Sequence, residues 1–158
     1  MNNMGNAVFL TLVFLWLVVW TLIMSPVSSC EPSYNWRQVL DAVRVVETGG
    51  SPNEGRGATG DNGKALGPYQ IWKIYWTDAR IKNRAYKEVL NDKELSEKVI
   101  YRYMKRYQPE SLRRLESGTV TLLDVEKVSR THNGGPSGTR KRATHFYFQK
   151  VKRALALN

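Results

Sequence analysis

Residues 46–76 read VETGGSPNEGRGATGDNGKALGPYQIWKIYW. The stretch opens with a carboxylate, Glu47, and passes through Gly49, Gly50, Gly55, Gly57, Gly60 and Gly63. It closes on Gly67-Pro68-Tyr69-Gln70-Ile71, followed by Trp72, Tyr75 and Trp76. Glycine at this density interrupts helices, and Gly60-Asp61-Asn62-Gly63 is a strong turn signal. A phosphate-binding loop is excluded, because no Gly-Lys-Ser/Thr ends the run and no helix follows it directly. The spacing predicts a small β-hairpin, with Leu66–Trp72 as a short strand, set into an otherwise helical chain.

Working outward, the flanks carry helical periodicity. Asn35 and Gln38 form a capping box ahead of Trp36, Val39, Leu40, Val43 and Val46, which share one stripe. Gly49-Gly50 ends that helix. Further helices are predicted over Ile74–Ile81 and Asp92–Tyr107, the latter burying Leu95, Val99, Tyr103, Met104 and Tyr107, with Pro109 closing it. A short helical turn is expected at Glu110–Glu116. The Thr121/Asp124 capping box opens another helix toward His132. Asn133-Gly134-Gly135-Pro136 is expected to be a tight loop, and a last helix starts near Arg140 with Tyr147, Val151 and Leu155 inward. The fold class is α+β, mainly helical.

Composition bounds the setting. Ala7–Met24 is apolar apart from two threonines, and Pro26-Val27-Ser28-Ser29 follows. This resembles a signal peptide with its cleavage site, although the run is long enough for a signal anchor. We therefore expect a signal peptide over 1–29 and a single catalytic domain over 31–158, exported from the cell and extracellular. Membrane association is expected only if the N-terminal segment is retained. All 24 Lys and Arg lie beyond the apolar run, and the net charge is +10. Such a surface favours an anionic partner. The cations are spread over several helices without a nucleic-acid-binding signature, so no nucleic acid is expected. Cys30 is the sole cysteine and only two histidines are present, which leaves no metal site and no cofactor in the expectation. Oligomeric state is not legible.

The chemistry sits at the ends of the glycine-rich loop. Glu47 falls at the edge of a buried stripe, where a carboxyl is partly withdrawn from water, the setting of a general acid. Asp61 heads a polar turn, a place usually taken by a residue bonding its own backbone. Two carboxylates with aromatics behind them suit the cleavage of a glycosidic bond.

Val46-Glu47-Thr48-Gly49, Gly67-Pro68-Tyr69-Gln70-Ile71, Tyr75-Trp76-Thr77-Asp78, Tyr103-Met104-Lys105-Arg106-Tyr107 and His132-Asn133-Gly134-Gly135-Pro136 occur in that order. Together they resemble the motifs of the invertebrate-type (destabilase-like) lysozymes. The resemblance covers nearly the whole chain after the apolar segment. It implies a lysozyme-like fold with its β-region beside the cleft, a secreted antimicrobial hydrolase, and bacterial peptidoglycan as substrate, cut at the β-1,4 bond with retention. It also implies Glu47 as general acid and Asp61 as nucleophile or stabiliser. Tyr69, Gln70, His132, Asn133, Gly134, Gly135 and Pro136 would line the sugar cleft.

There are departures. Leu66, Ala79 and Thr139 stand where the family has cysteines, so packing must replace the bridges. The Glu47–Asp61 interval is longer than the family's, which makes Glu54 the alternative second carboxylate. Other functions stay open: a lytic transglycosylase using Glu47 alone, a cationic wall-binding protein without catalysis, and an isopeptidase drawing on Ser129 or Ser137 with His132.

Overall fold

The computed structural model describes residues 33–157. The expected signal segment and Cys30 lie outside the described residues. Among the described residues there are six α-helices and one three-stranded antiparallel sheet. Helix α1 spans Trp36–Thr48. The strands are β1 (Thr59–Gly60), β2 (Ala65–Leu66) and β3 (Ile71–Trp72), ordered β1-β2-β3. After them come α2 (Lys73–Ala79), α3 (Lys93–Tyr107), α4 (Pro109–Ser117), α5 (Leu122–Gly134) and α6 (Arg142–Ala156). The α+β expectation, mainly helical with a small β-region, is met.

Helix α1 begins as its capping box requires. Asn35 accepts from the Gln38 amide at 2.9 Å, and Gln38 Oε1 accepts from the Asn35 amide at 3.0 Å. Its stripe of Val39, Leu40, Ala42 and Val43 is buried, each large aliphatic side chain contributing about 1.5–3 kcal/mol. Gly49 then takes a left-handed conformation, φ +60°, and stops the helix. Glu47 is thereby fixed in the last turn, with its backbone held by α1 and its side chain reaching the surface.

Three expectations are corrected. Leu66–Trp72 is not one strand: the chain turns at 67–70, with Gly67 and Gln70 at positive φ, and re-pairs Leu66 with Ile71. Glu110–Glu116 belongs to a full helix, because Pro109 sits at its first turn, where a missing N–H costs nothing. Asn133 and Gly134 are helical, and the break comes one residue later, at Gly135.

The core joins the six helices with β2 and β3. Leu66 and Ala79 are among its buried members, so two positions that resemble lost cysteines are filled by apolar packing. Tyr69 is fully buried, and its hydroxyl donates to Glu97 Oε1 at 2.8 Å. Glu97 also receives Arg37 from α1 at 2.8 Å, tying α1, the sheet turn and α3 together. Helix α5 is anchored at its start by Asp124, which accepts from Ser111 at 2.9 Å and from Arg114 Nε at 2.9 Å. Those bonds hold the Asp124 carboxyl well below the usual carboxylate range, the Arg114 guanidinium being the chief cause. Among the described residues no helix is long and apolar enough to cross a membrane.

Candidate active site

A cleft of about 220 Å³ opens between the sheet and the ends of α1 and α5. Glu47 and Asp61 both line it, with Gly60, Gln70, Trp72, Tyr75, His132 and Asn133. A second chamber of about 340 Å³ shares Trp72, Tyr75, His132 and Asn133 with the first and continues along Gly134, Gly135 and Pro136. The cleft is therefore elongated, polar at the carboxylates and aromatic along one wall.

Glu47 is held from two sides. Tyr147 of α6 donates its hydroxyl to Glu47 Oε1 at 2.7 Å, and His132 Nε2 lies 3.4 Å from the same oxygen. The opposite ring nitrogen of His132, Nδ1, lies 3.3 Å from the Tyr75 hydroxyl. With Glu47 ionised, this chain is satisfied when Tyr75 donates to Nδ1 and Nε2 carries its proton toward Glu47. Burial, reinforced by the Glu47 charge, pushes the Tyr147 hydroxyl well above its ordinary range. Burial does the same for Tyr75, with Tyr103 and Glu47 adding to it. Both phenols thus stay protonated and act as donors. Tyr75 is further fixed by stacking on Tyr103, ring centroids 3.6 Å apart. The second oxygen of Glu47 has no hydrogen-bond partner among the described residues, and Glu47 lines the cleft.

Asp61 is presented differently. It heads a turn in which Asp61, Asn62 and Gly63 all have positive φ, +47°, +57° and +81°. Asp and Asn tolerate this conformation better than other side chains, yet successive left-handed residues store strain of the kind found at functional sites. The residue is exposed. Beside it, Gly60 lets Gln70 approach: a Cβ there would sit 2.2 Å from Gln70 Oε1. Gln70 is itself pinned by donating to the Gly67 carbonyl at 2.9 Å.

Of the residues expected at the cleft, Glu47, Asp61, Gln70, His132 and Asn133 meet in the first chamber, and Gly134, Gly135 and Pro136 line the second. Tyr69 does not line it. Its side chain points into the core, and Gln70 takes the cleft position next to it. Glu54 is also elsewhere, engaged by Lys93 and by Arg56 at 3.1 Å. The Lys93 ammonium holds its carboxyl below the usual range. Ser129 is buried and donates to the Val125 carbonyl at 2.7 Å. Neither chamber is lined by a serine, threonine or cysteine among the described residues. From sequence, Tyr147 reads only as a core position. It lies 100 residues from Glu47 in sequence, and only the packing of α6 on α1 brings the two together.

A mainly helical domain with a small antiparallel sheet, and a carboxylate helix end facing the sheet turn across a cleft, is the lysozyme fold. The crystal structure of Tapes japonica lysozyme superimposes with a TM-score of 0.58 at 27% identity, covering 78% of this chain and 93% of that one. In sequence, residues 46–154 match the Destabilase family, and the chain belongs to it. An invertebrate-type lysozyme of Ruditapes philippinarum is 31% identical over 89 residues, 56% of this chain and 60% of that protein. A lysozyme of Magallana gigas is 34% identical over 87 residues, 55% of this chain and 58% of that protein. The chain thus aligns with about three fifths of the length of these curated relatives.

Proposed function

We propose that this protein is a lysozyme that hydrolyses the β-1,4 glycosidic bond of bacterial peptidoglycan. The observation that carries the proposal is the meeting of Glu47 and Asp61 in one elongated cleft, one carboxyl held by buried donors and the other exposed on a turn. In this reading Glu47 gives its proton to the glycosidic oxygen as the bond to the anomeric carbon breaks. Asp61 stays ionised and attacks, or stabilises, the positive carbon. Water then enters, Glu47 takes its proton, and the sugar leaves with retained configuration. After the first proton transfer Glu47 is an anion, and the Tyr147 hydroxyl and His132 Nε2–H stabilise it. Their hydrogen bonds are stronger to the charged carboxylate than to the acid.

Sugar rings stack on apolar faces, and Trp72, 42% exposed, offers one beside the carboxylates. Gln70 and Asn133 supply amides for hydroxyl and acetamido groups. The family match and the lysozyme relatives support peptidoglycan as the substrate. Residues 1–29 we read as an export signal, which agrees with an extracellular wall target and an antimicrobial role.

The test is product analysis after digestion of peptidoglycan, with Asp61→Asn beside the wild type. The proposal expects reducing ends in the β configuration, and a fall of 10²-fold or more in the variant, in keeping with about 10²–10⁴ for a catalytic carboxylate. Anhydro-muramyl products with activity surviving in Asp61→Asn would instead establish a transglycosylase.

A further inference from the structure

A third concavity, about 560 Å³ in volume, lies beyond the cleft and is walled by Arg80, Arg102, Lys105, Arg106 and Tyr101. Its single carboxylate is Asp78, which also lines the second chamber of the cleft. Groove and cleft therefore meet at this one residue.

Like most lysines and arginines among the described residues, the cations of this groove carry no carboxylate partner; what sets them apart is that four of them converge on one concavity. Arg37, Arg84, Lys93, Arg114 and Arg130 each meet a carboxylate. Arg80, Arg102, Lys105 and Arg106 meet none within ion-pair distance among the described residues. Arg102, Lys105 and Arg106 fall at i, i+3 and i+4 on α3, where like charges oppose one another. Two of them gain from the helix C-terminus, but Arg102 lies a turn earlier. Arg102 is also oriented: its Nε donates to the Ala79 carbonyl at 3.0 Å, which leaves both terminal nitrogens for a ligand. Asp78 is partly occupied by the Tyr107 hydroxyl at 3.1 Å.

We propose that this groove binds the phosphodiester backbone of an anionic polymer attached to the wall glycan, so that glycan in the cleft and polymer in the groove are held together. Three observations select this chemistry. Arginine forks match phosphate oxygens in pairs, and three of the four cations are arginines. The groove is open and several charges long, which suits a repeating anion better than a single ion. Its junction with the cleft at Asp78 suits a ligand covalently joined to the substrate. The wall assignment rests on the hydrolase reading, whereas polymer binding does not.

The experiment titrates the full chain with fluorescently labelled poly(glycerol phosphate) and follows anisotropy at several salt concentrations. Lys105→Gln/Arg106→Gln, both exposed, is expected to bind about tenfold more weakly, with a salt slope shallower by about one for each cation removed. Arg80→Gln provides an independent variant on a different helix end. Asp78→Asn keeps an acceptor for Tyr107 and should bind the polymer more tightly, an effect of opposite sign that misfolding cannot imitate. Cleavage of phosphate-free glycan oligomers by Lys105→Gln/Arg106→Gln should stay within about twofold of wild type, since neither residue lines the cleft.

Unchanged polymer affinity in these variants would overturn the proposal. So would equal affinity for poly-glutamate, which offers charge without phosphate. Displacement of the polymer by lower concentrations of single-stranded DNA would reassign the groove to nucleic acid. A wild-type chain that binds the polymer as described but cleaves no glycan would support the groove and refute the hydrolase reading.

Discussion

Asp124→Asn tests how the fold holds its site. Asp124 is 2% exposed at its side chain and gathers Ser111, Arg114 and Thr121 at the start of α5. Two turns further along, the same helix delivers His132 to Glu47. Asparagine keeps the shape but replaces an anion with an amide, leaving the Arg114 guanidinium only the more distant Glu110 carboxylate, 3.9 Å away. Breaking a buried pair in this way costs about 3–5 kcal/mol. Arg114 is 32% exposed and can turn toward water, which places the cost near the lower end, about 3 kcal/mol. For a domain of this size that lowers Tm by about 10–15 °C.

The sign of the pH dependence follows from the depressed carboxyl. Its stabilisation is fully present above the unfolded-state value, about 3.9 for Asp, and is lost as pH falls through the folded-state value. Thermal unfolding followed by circular dichroism should therefore show the full gap between wild type and Asp124→Asn at pH 7. The gap should narrow below about pH 4. A loss under 1 kcal/mol, or a gap equal at pH 7 and pH 3, would refute the reasoning.

Two further outcomes are expected. Tyr147→Phe removes a hydrogen bond to a charged partner, which contributes about 1.5–3 kcal/mol, so kcat/KM on peptidoglycan should drop between about tenfold and a hundredfold while the far-ultraviolet spectrum is kept. Glu54→Gln should leave turnover within about twofold of wild type and lower Tm only slightly, because Glu54 is a partly exposed partner of Lys93 and Arg56, and water screens such surface pairs.

Much of this was legible before the structure because it is local. The Asn35 and Thr121 capping boxes, the apolar stripe of α1 and the Asp61-Asn62-Gly63 turn are written within a few residues each, and each forms as read. Glu47, Asp61 and the His132–Pro136 segment stood out for the same reason, as a carboxyl at a helix end, a turn residue and a glycine pair. What escaped was set by tertiary packing. Tyr69 and Gln70 are neighbours in an extended-looking run. The positive φ of Gln70 turns the chain so that the tyrosine enters the core and the glutamine the cleft. Tyr147 carries ordinary helix-core spacing, and nothing local distinguishes a phenol that meets a carboxylate from one that meets leucines. The helical state of Asn133 and Gly134 was hidden by their composition, since glycine and asparagine are weak helix formers that tertiary context overrides. Three of the four groove cations lie on α3 and the fourth, Arg80, ends α2, so their convergence on one concavity required the fold.

The most direct measurement is peptidoglycan turnover by wild type and Glu47→Gln, side by side at low and moderate salt. The account predicts clearance by the wild type and a loss of about 10²–10⁴-fold in the variant at both salt concentrations. Equal clearance by both proteins, falling steeply with salt, would contradict it and leave a cationic wall-binding protein on a lysozyme fold.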